Sequence, residues 1–458
     1  MSELPKGWVN VEGSNLFSLV RGVSYEKKDV CTQSAEGLVP ILRANNIQNG
    51  EIFATDLVYV PSHYVKKEQY LRLGDILIAT SSGSRDVVGK AAQPKTEHTG
   101  FAFGAFCCVA RSRMPIHADW LYFYTRSLEY RRYVEEVALG ININNFRNRD
   151  LEAMPIVLSP LNEQRRIVAK LDRLFARSRC AREELGRVSG LVQRYKQAVL
   201  AAAFRGDLTA DWREENSQVE PWQSISLGSV IQNIRYGTSK KCDYLPTLTP
   251  VLRIPNIGDG YIVHNDIKYA EFDPKEVIGL QLQLGDILII RSNGSLDLVG
   301  KAAIVSEKEV GFLYAGYLIR LRPKCEIILP ECLYYHLIEP RTRSEIELLA
   351  KSTSGVNNIN SQELQSLSLH IPGLREQKEI VKRVERLFKT IDLIEQEHQQ
   401  ASKLLDRLEQ ATLSKAFRGE LVPQDPNDEP AAILLERIQG DRQAQPKGKA
   451  IKSKQSHR

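Results

Sequence analysis

Two stretches of the chain carry glycine, serine and lysine at spacings that suggest an anion-holding loop: SSGSRDVVGKAA at 81–92 and SNGSLDLVGKAA at 292–303. A nucleotide phosphate loop needs four residues between its glycines and a Ser or Thr after its lysine to hold magnesium. Here Gly83 and Gly89 enclose five residues and Ala91 follows Lys90; Gly294, Gly300, Lys301 and Ala302 depart in the same way. The spacing excludes the ATPase reading.

The same residues suit a different chemistry. The first copy offers Arg43, Asn45, Asn46, Thr80, Ser81, Ser82, Ser84, Arg85 and Lys90; the second offers Arg253, Asn256, Arg291, Ser292, Asn293, Ser295 and Lys301. Arginine reads guanine through two hydrogen bonds, asparagine reads adenine, and Ser, Lys and backbone N–H groups hold phosphate. These are the candidate DNA-binding residues. Such a composition is common in surface loops, so the elements behind the loops have to carry the argument.

Those elements are written twice. Residues 71–92 align without gaps on 282–303, with 16 of 22 positions identical. Upstream, VPILRANNIQNGEI from Val39 matches TPVLRIPNIGDGYI from Thr249; downstream, EQRRIVAKLDRLF from Glu163 matches EQKEIVKRVERLF from Glu376, and AFRGDL matches AFRGEL. The chain is a tandem duplication of a module too long for a solenoid repeat. In the first module DILIA, VGKAA and FGAFCCVA read as short strands. ADWLYFYTRSLEYRRYVEEVA reads as one helix whose aromatic stripe, Trp120, Tyr124 and Tyr130, is core packing.

Each module ends in a long helix. Apolar positions recur at steps of four and three: Ile380, Val384, Leu387, Ile391 and Ile394, then Ala401, Leu405 and Leu408, with His398 as a polar seam residue. The first copy keeps the frame through Ile167, Leu171, Leu174, Ser178, Ala181, Leu185, Val188, Val192, Tyr195 and Val199. A sustained heptad marks a coiled coil. Pro160 and Pro372 suit the helix starts, and Gly206 and Gly419 suit C-terminal caps. An antiparallel pair of such helices, each carrying a head, would be a molecular ruler for two similar half-sites on duplex DNA.

The whole chain of 458 residues allows several domains, and its formal net charge of +6 is mild. The seven cysteines form no C-x-x-C pair and read as reduced thiols, with no metal expected. MSELPKGWVN lacks a signal-peptide apolar core and no run is long enough to span a bilayer, so the expected location is cytoplasmic.

The full combination resembles the specificity subunit (HsdS) of type I restriction-modification systems, and most of all enterobacterial members of the K family. Glu163, Gln164, Ile167, Val168, Leu171, Leu174, Phe175 and 203–208 carry the resemblance in the first copy. Glu376, Gln377, Ile380, Val381, Leu387, Phe388 and 416–421 carry it in the second, preceded by TSGVNNINSQELQ from Thr353.

The resemblance implies a mixed α/β (α+β) fold: two target-recognition domains of strands and helices, joined by two long helices pairing as an antiparallel coiled coil, with a pseudo-twofold internal repeat. The expected boundaries are a first recognition domain at 1–159, a spacer helix at 160–208, a linker at 209–220, a second recognition domain at 221–372, a spacer helix at 373–421 and a disordered basic tail at 422–458. It also implies double-stranded DNA, two methyltransferase (HsdM) subunits and restriction-translocase (HsdR) subunits as partners. SAM, ATP and Mg would belong to those partners, with no cofactor and no catalytic residue in this chain. No N-P-P-F or D-P-P-Y adenine-methylation motif is present. A stand-alone methyltransferase or nuclease is therefore the weaker alternative, and a coiled-coil scaffold without DNA is another.

Overall fold

The computed structural model describes residues 4–113, 118–138, 144–216, 219–350 and 356–444. The chain divides into two compact units, Met1–Glu183 with Ala401–Arg458, and Glu184–Gln400. Each unit therefore holds one head together with parts of both long helices.

The two heads repeat one topology. In the first, a four-stranded sheet runs Phe17–Arg21, Cys107–Ser112, Asp75–Ala79, Ala91–Ala92; in the second, Ile231–Tyr236, Leu318–Pro323, Ile287–Ile290, Ala302–Ile304. All its pairings are antiparallel. A three-stranded sheet lies beside it in each head, centred on Leu38–Leu42 or Thr249–Leu252. DILIA is a strand buried at every position because both of its faces are covered. Its first residue, Asp75, is almost fully buried and is compensated by Arg111 at 2.7 Å. Asp286 and Arg322 repeat the pair at 2.7 Å. A buried charge without such a partner would cost several kcal/mol.

Three sequence expectations change at this level. VGKAA contributes only the two-residue strand Ala91–Ala92. The single helix expected over 118–138 is two helices, Ala118–Tyr124 and Leu128–Val137, because Ser127 caps the second by accepting from Tyr130 N. Trp120, Tyr124 and Tyr130 are core residues as expected. The tail is the third change: Ala431–Ala444 is a helix whose Ala431, Leu434 and Ile438 join the first unit's core. Residues 353–355 of the junction motif and 445–458 of the tail lie outside the described residues. The expected linker holds a short helix, Ala210–Glu215.

The long helices are Leu161–Phe204 and Leu374–Phe417, each closed by a left-handed glycine, Gly206 or Gly419. Within the first unit the start of the first helix packs with the end of the second; within the second unit the end of the first packs with the start of the second. Both pairings are antiparallel. The seam leaves the expected heptad in places. Tyr195, Ile394 and Leu408 are exposed, while Lys196, Glu395 and Glu409 sit at the interface. Lys196 reaches Glu395 at 3.3 Å and Asp392 at 3.1 Å; Arg182 reaches Glu409 at 3.3 Å and Asp406 at 2.7 Å. A straight helix drifts about 20° per heptad against a 3.5-residue repeat, so the buried face moves on by one residue. Among the described residues no helix is long and apolar enough to cross a membrane.

Candidate nucleic-acid interface

The twin loops are closed by glycine for steric reasons. Gly89 N donates to Ala79 O and Ala79 N to Lys90 O, at 2.8 and 2.9 Å; Gly300 and Ile290 repeat this ladder at 2.8 and 2.9 Å. Gly89 and Gly300 have φ of +81° and +84°. A Cβ on them would lie 2.6 Å from Val134 Cγ1 and 2.5 Å from Ile346 Cγ2. Both left-handed backbone and close helix approach demand glycine here. The Gly-Lys pair is the seam where the loop returns to its sheet, not a phosphate cradle.

An arginine from the following helix pins each loop. Arg131 donates to the carbonyls of Val88 and Arg85 at 2.8 and 3.1 Å, with its Nε on Glu135. Arg343 donates to the carbonyls of Val299 and Leu296 at 2.5 and 3.4 Å, with its Nε on Glu347. A second support comes from further along the chain. Ser81–Ser82 pairs antiparallel with Asn144–Asn145, and Ser292–Asn293 with Asn357–Asn358. Asn357 Nδ2 also donates to the Gly294 carbonyl at the tip, at 3.1 Å. The tips themselves turn through a side-chain acceptor: Ser84 N donates to Ser82 Oγ, and Ser295 N to Asn293 Oδ1.

The expected site residues separate into three groups. Asn46, Asn256 and Thr80 are corrected: they are buried and build the fold. Asn46 Nδ2 donates to Phe53 O and Thr55 O, Asn256 Nδ2 to Val263 O and Asn265 O, and Thr80 Oγ1 to Phe106 O. Arg43 and Arg253 belong to the same construction, with their Nη2 atoms on Asp56 and Asp266 at 2.9 and 2.7 Å. The amides of Asn46 and Asn256 are thus taken by backbone carbonyls, and each arginine is held through Nη2 alone.

The second group is presented outward. Asn45, Ser84, Arg85 and Ser295 are exposed; Ser81, Ser82, Ser292, Asn293 and Arg291 are half-buried at the loop strands. The lysines form the third group. Lys301 Nζ is 2.9 Å from Asp259 Oδ1. Lys90, whose repeat carries Asn49 where the other carries Asp259, lines a cleft of about 900 Å³ with Arg126, Arg131, Arg179, Glu51 and Glu409.

Similarity to known proteins fits this geometry. Residues 5–185 and 219–403 match the family model described as "Type I restriction modification DNA specificity domain". The chain is 36% identical to the type I restriction enzyme EcoKI specificity subunit of Escherichia coli K12, covering 99% of both chains. It is 36% identical to the StySPI specificity subunit of Salmonella potsdam, covering 96% of both. In fold it resembles a chain from a structural study of complex assembly and conformational transition of the type I R-M system, with TM-score 0.70 and 22% identity over 92% of this chain and all of that one. It also resembles the HsdS subunit from Thermoanaerobacter tengcongensis, with TM-score 0.50 and 21% identity over 92% of this chain and 98% of that one.

The chain belongs to the type I specificity-subunit family. It is a DNA sequence-recognition subunit, and the family's repeated Glu-Gln pair has a visible structural task in it. Glu163 Oε2 accepts from Trp8 Nε1 at 2.9 Å, and Gln164 Nε2 donates to Ser159 O at 2.7 Å. Glu376 Oε2 accepts from Trp222 Nε1 at 3.1 Å, and Gln377 Nε2 donates to Pro372 O at 2.8 Å. The glutamate ties each spacer helix to a tryptophan near the start of its own head, and the glutamine ties it to the segment just before the helix. The repeats then diverge. Glu376 also accepts from Thr209 and Arg213, at 2.6 and 2.5 Å, whereas Val422 and Pro426 stand at those places after the second helix. Among the described residues Glu163 Oε1 has no hydrogen-bond partner.

Sequence reasoning missed Arg131, Arg343, Asn145, Asn357, Asn358 and Tyr236 as parts of the interface. The paired Asn-Asn steps stand equally far ahead of the two Glu-Gln pairs, and that spacing was the available signal.

Proposed function

We propose that this specificity subunit binds a two-part double-stranded DNA site, one head per half-site, and catalyses nothing itself. The observation that carries the reading is one scaffold used twice with different tips. The glycine seam, the arginine clamp and the Asn-Asn strand recur, while Arg85 aligns with Leu296, Ser82 with Asn293 and Asn45 with Pro255, and Arg291 replaces the inward Thr80. A repeated scaffold with divergent outward groups suits two related tasks on different bases.

In this reading two methyltransferase subunits and the restriction-translocase subunits assemble on the chain and bring SAM, ATP and Mg with them. The long helices set the gap between half-sites. Leu191, Tyr195, Ile394, Leu404 and Leu408 are apolar yet exposed on those helices, which supports docking of partner subunits there. The test is methylome sequencing of cells expressing the chain with its methyltransferase partner. The expected result is adenine methylation in a two-part motif with a fixed gap. SAM-dependent methylation by the pure chain would overturn the reading.

A further inference from the structure

Arg291 is held by a ring and an amide rather than by an acid. Its guanidinium lies over the Tyr236 ring, 4.7 Å from the centroid, and its Nε donates to Asn358 Oδ1 at 3.2 Å. Its terminal nitrogens have no hydrogen-bond partner among the described residues. The tyrosine is fixed in turn, because its hydroxyl accepts from Ser361 N at 2.8 Å, in the first turn of the helix Ser361–Ser366. One face of the guanidinium is covered, its inner nitrogen is filled, and its outer fork meets no partner among the described residues.

This arrangement is absent from the first head. The strand registers place Arg21 where Tyr236 stands, since Arg21 pairs with Cys108 as Tyr236 pairs with Ile319. Thr80 occupies the place of Arg291 and is turned inward to Phe106 O. The surroundings repeat while this pair does not, which is the pattern of a specificity element rather than of a fold element.

We propose that Tyr236 and Asn358 are positioning residues that aim Arg291 at a two-acceptor base edge, the O6 and N7 of a guanine in the second half-site. The proposal rests on the DNA-recognition reading above and deepens it. A flexible arginine loses rotamer freedom on binding; one already stacked and bonded at Nε loses less, so its contact discriminates better. The planar fork matches guanine's two major-groove acceptors and no other base offers that pair.

The experiment uses the full chain assembled with its methyltransferase subunits. Binding is measured on duplexes carrying every single base-pair change in both half-sites, for Arg291→Ala, Arg291→Lys, Tyr236→Phe, Tyr236→Leu, Asn358→Ala and the Tyr236→Leu/Arg291→Ala double variant. Arg291→Ala and Arg291→Lys are expected to lose about tenfold discrimination at one G·C pair of the second half-site and none elsewhere. Tyr236→Leu and Asn358→Ala lose several-fold at that same pair, Tyr236→Phe, which keeps the ring and gives up only the Ser361 bond, loses less than Tyr236→Leu, and the double variant is no worse than Arg291→Ala. Tyr236 is 37% exposed, so the leucine leaves the core intact. Loss at a different base pair in Tyr236→Leu, or equal weakening of all duplexes, would overturn the positioning role while leaving Arg291 as reader. Unchanged discrimination in Arg291→Ala would overturn the base contact itself. Absence of sequence-specific binding by the unmodified assembly would instead sink the DNA-recognition reading.

Discussion

Trp8 donates its indole N–H to Glu163 at 2.9 Å, and that bond leaves the second carboxylate oxygen buried without a partner among the described residues. Burial pushes the Glu163 carboxyl up from its ordinary range; the Trp8 hydrogen bond and Arg166 oppose this, and Asp428 adds to it. A carboxyl raised in the fold contributes stability while protonated and loses it as pH rises through the folded value. Glu163→Gln keeps an acceptor for Trp8 and removes the charge. Its melting midpoint is expected to exceed the parent's by a few degrees at pH 8, with the gap closing toward pH 4. Thermal unfolding across that range checks it; a gap that widens toward acid would contradict the sign.

Substitution at Glu376 should destabilise the fold rather than stabilise it. It is met by Trp222, Thr209 and Arg213, so Glu376→Gln strands a cation and weakens three hydrogen bonds. A loss of about 2–3 kcal/mol is expected in denaturant unfolding, from hydrogen bonds that involve charged groups.

Gly89→Ala and Gly300→Ala combine left-handed strain with a Cβ driven into Val134 or Ile346. Each should cost about 2–4 kcal/mol. Each should also impair methylation through one half-site more than the other, read by hydrogen exchange at 84–90 or 295–301 and by motif mapping. Equal impairment of both half-sites by one variant would argue against separate heads.

The two lysines should differ although their loops match. Lys301 is partnered by Asp259, whereas the first copy has Asn49 at that place and Lys90 makes no ion pair among the described residues. Lys90→Ala is expected to lower the salt slope of DNA binding by about one, the share of a single phosphate contact, and Lys301→Ala by less. Binding isotherms at several salt concentrations decide between them.

Spacing is tested with matched insertions. Seven helical residues placed after Glu183 and seven after Gln400, where the two units divide, add about 10 Å to each helix. The gap in the methylated motif should grow by about three base pairs with both half-sites unchanged. Full activity with the old gap would contradict the spacer role.

Much of this was legible in the sequence because duplication doubled every signal. The long helices, their glycine caps, the buried DILIA strand and the core aromatics all follow from periodicity and repeat. Direction of side chains did not follow. Asn46 and Arg43 have the composition of readers, yet their bonds close a turn on Phe53, Thr55 and Asp56. Their recurrence as Asn256 and Arg253 was the hint that they build the fold. Arg131 holds a loop 46 residues earlier in the chain, a contact no local spacing announces. Tyr236 was hidden because its counterpart is Arg21. The heptad failed at Tyr195, Ile394 and Leu408 because pattern counting assumes a 3.5-residue seam, and ion pairs at Lys196 and Glu409 replace apolar contacts there.

The first unit joins the earliest and latest parts of the chain. Trp120 and Tyr124 pack on Phe417, at 4.8 and 5.4 Å between ring centroids, and Ala431, Leu434 and Ile438 close the same core. The second unit is one uninterrupted stretch. During synthesis at about 5–20 residues per second, the first head emerges and then waits on the order of ten to forty seconds for the helix that completes it. The unit whose synthesis starts first is therefore completed last, and Trp120 and Tyr124 lack their Phe417 partner until then.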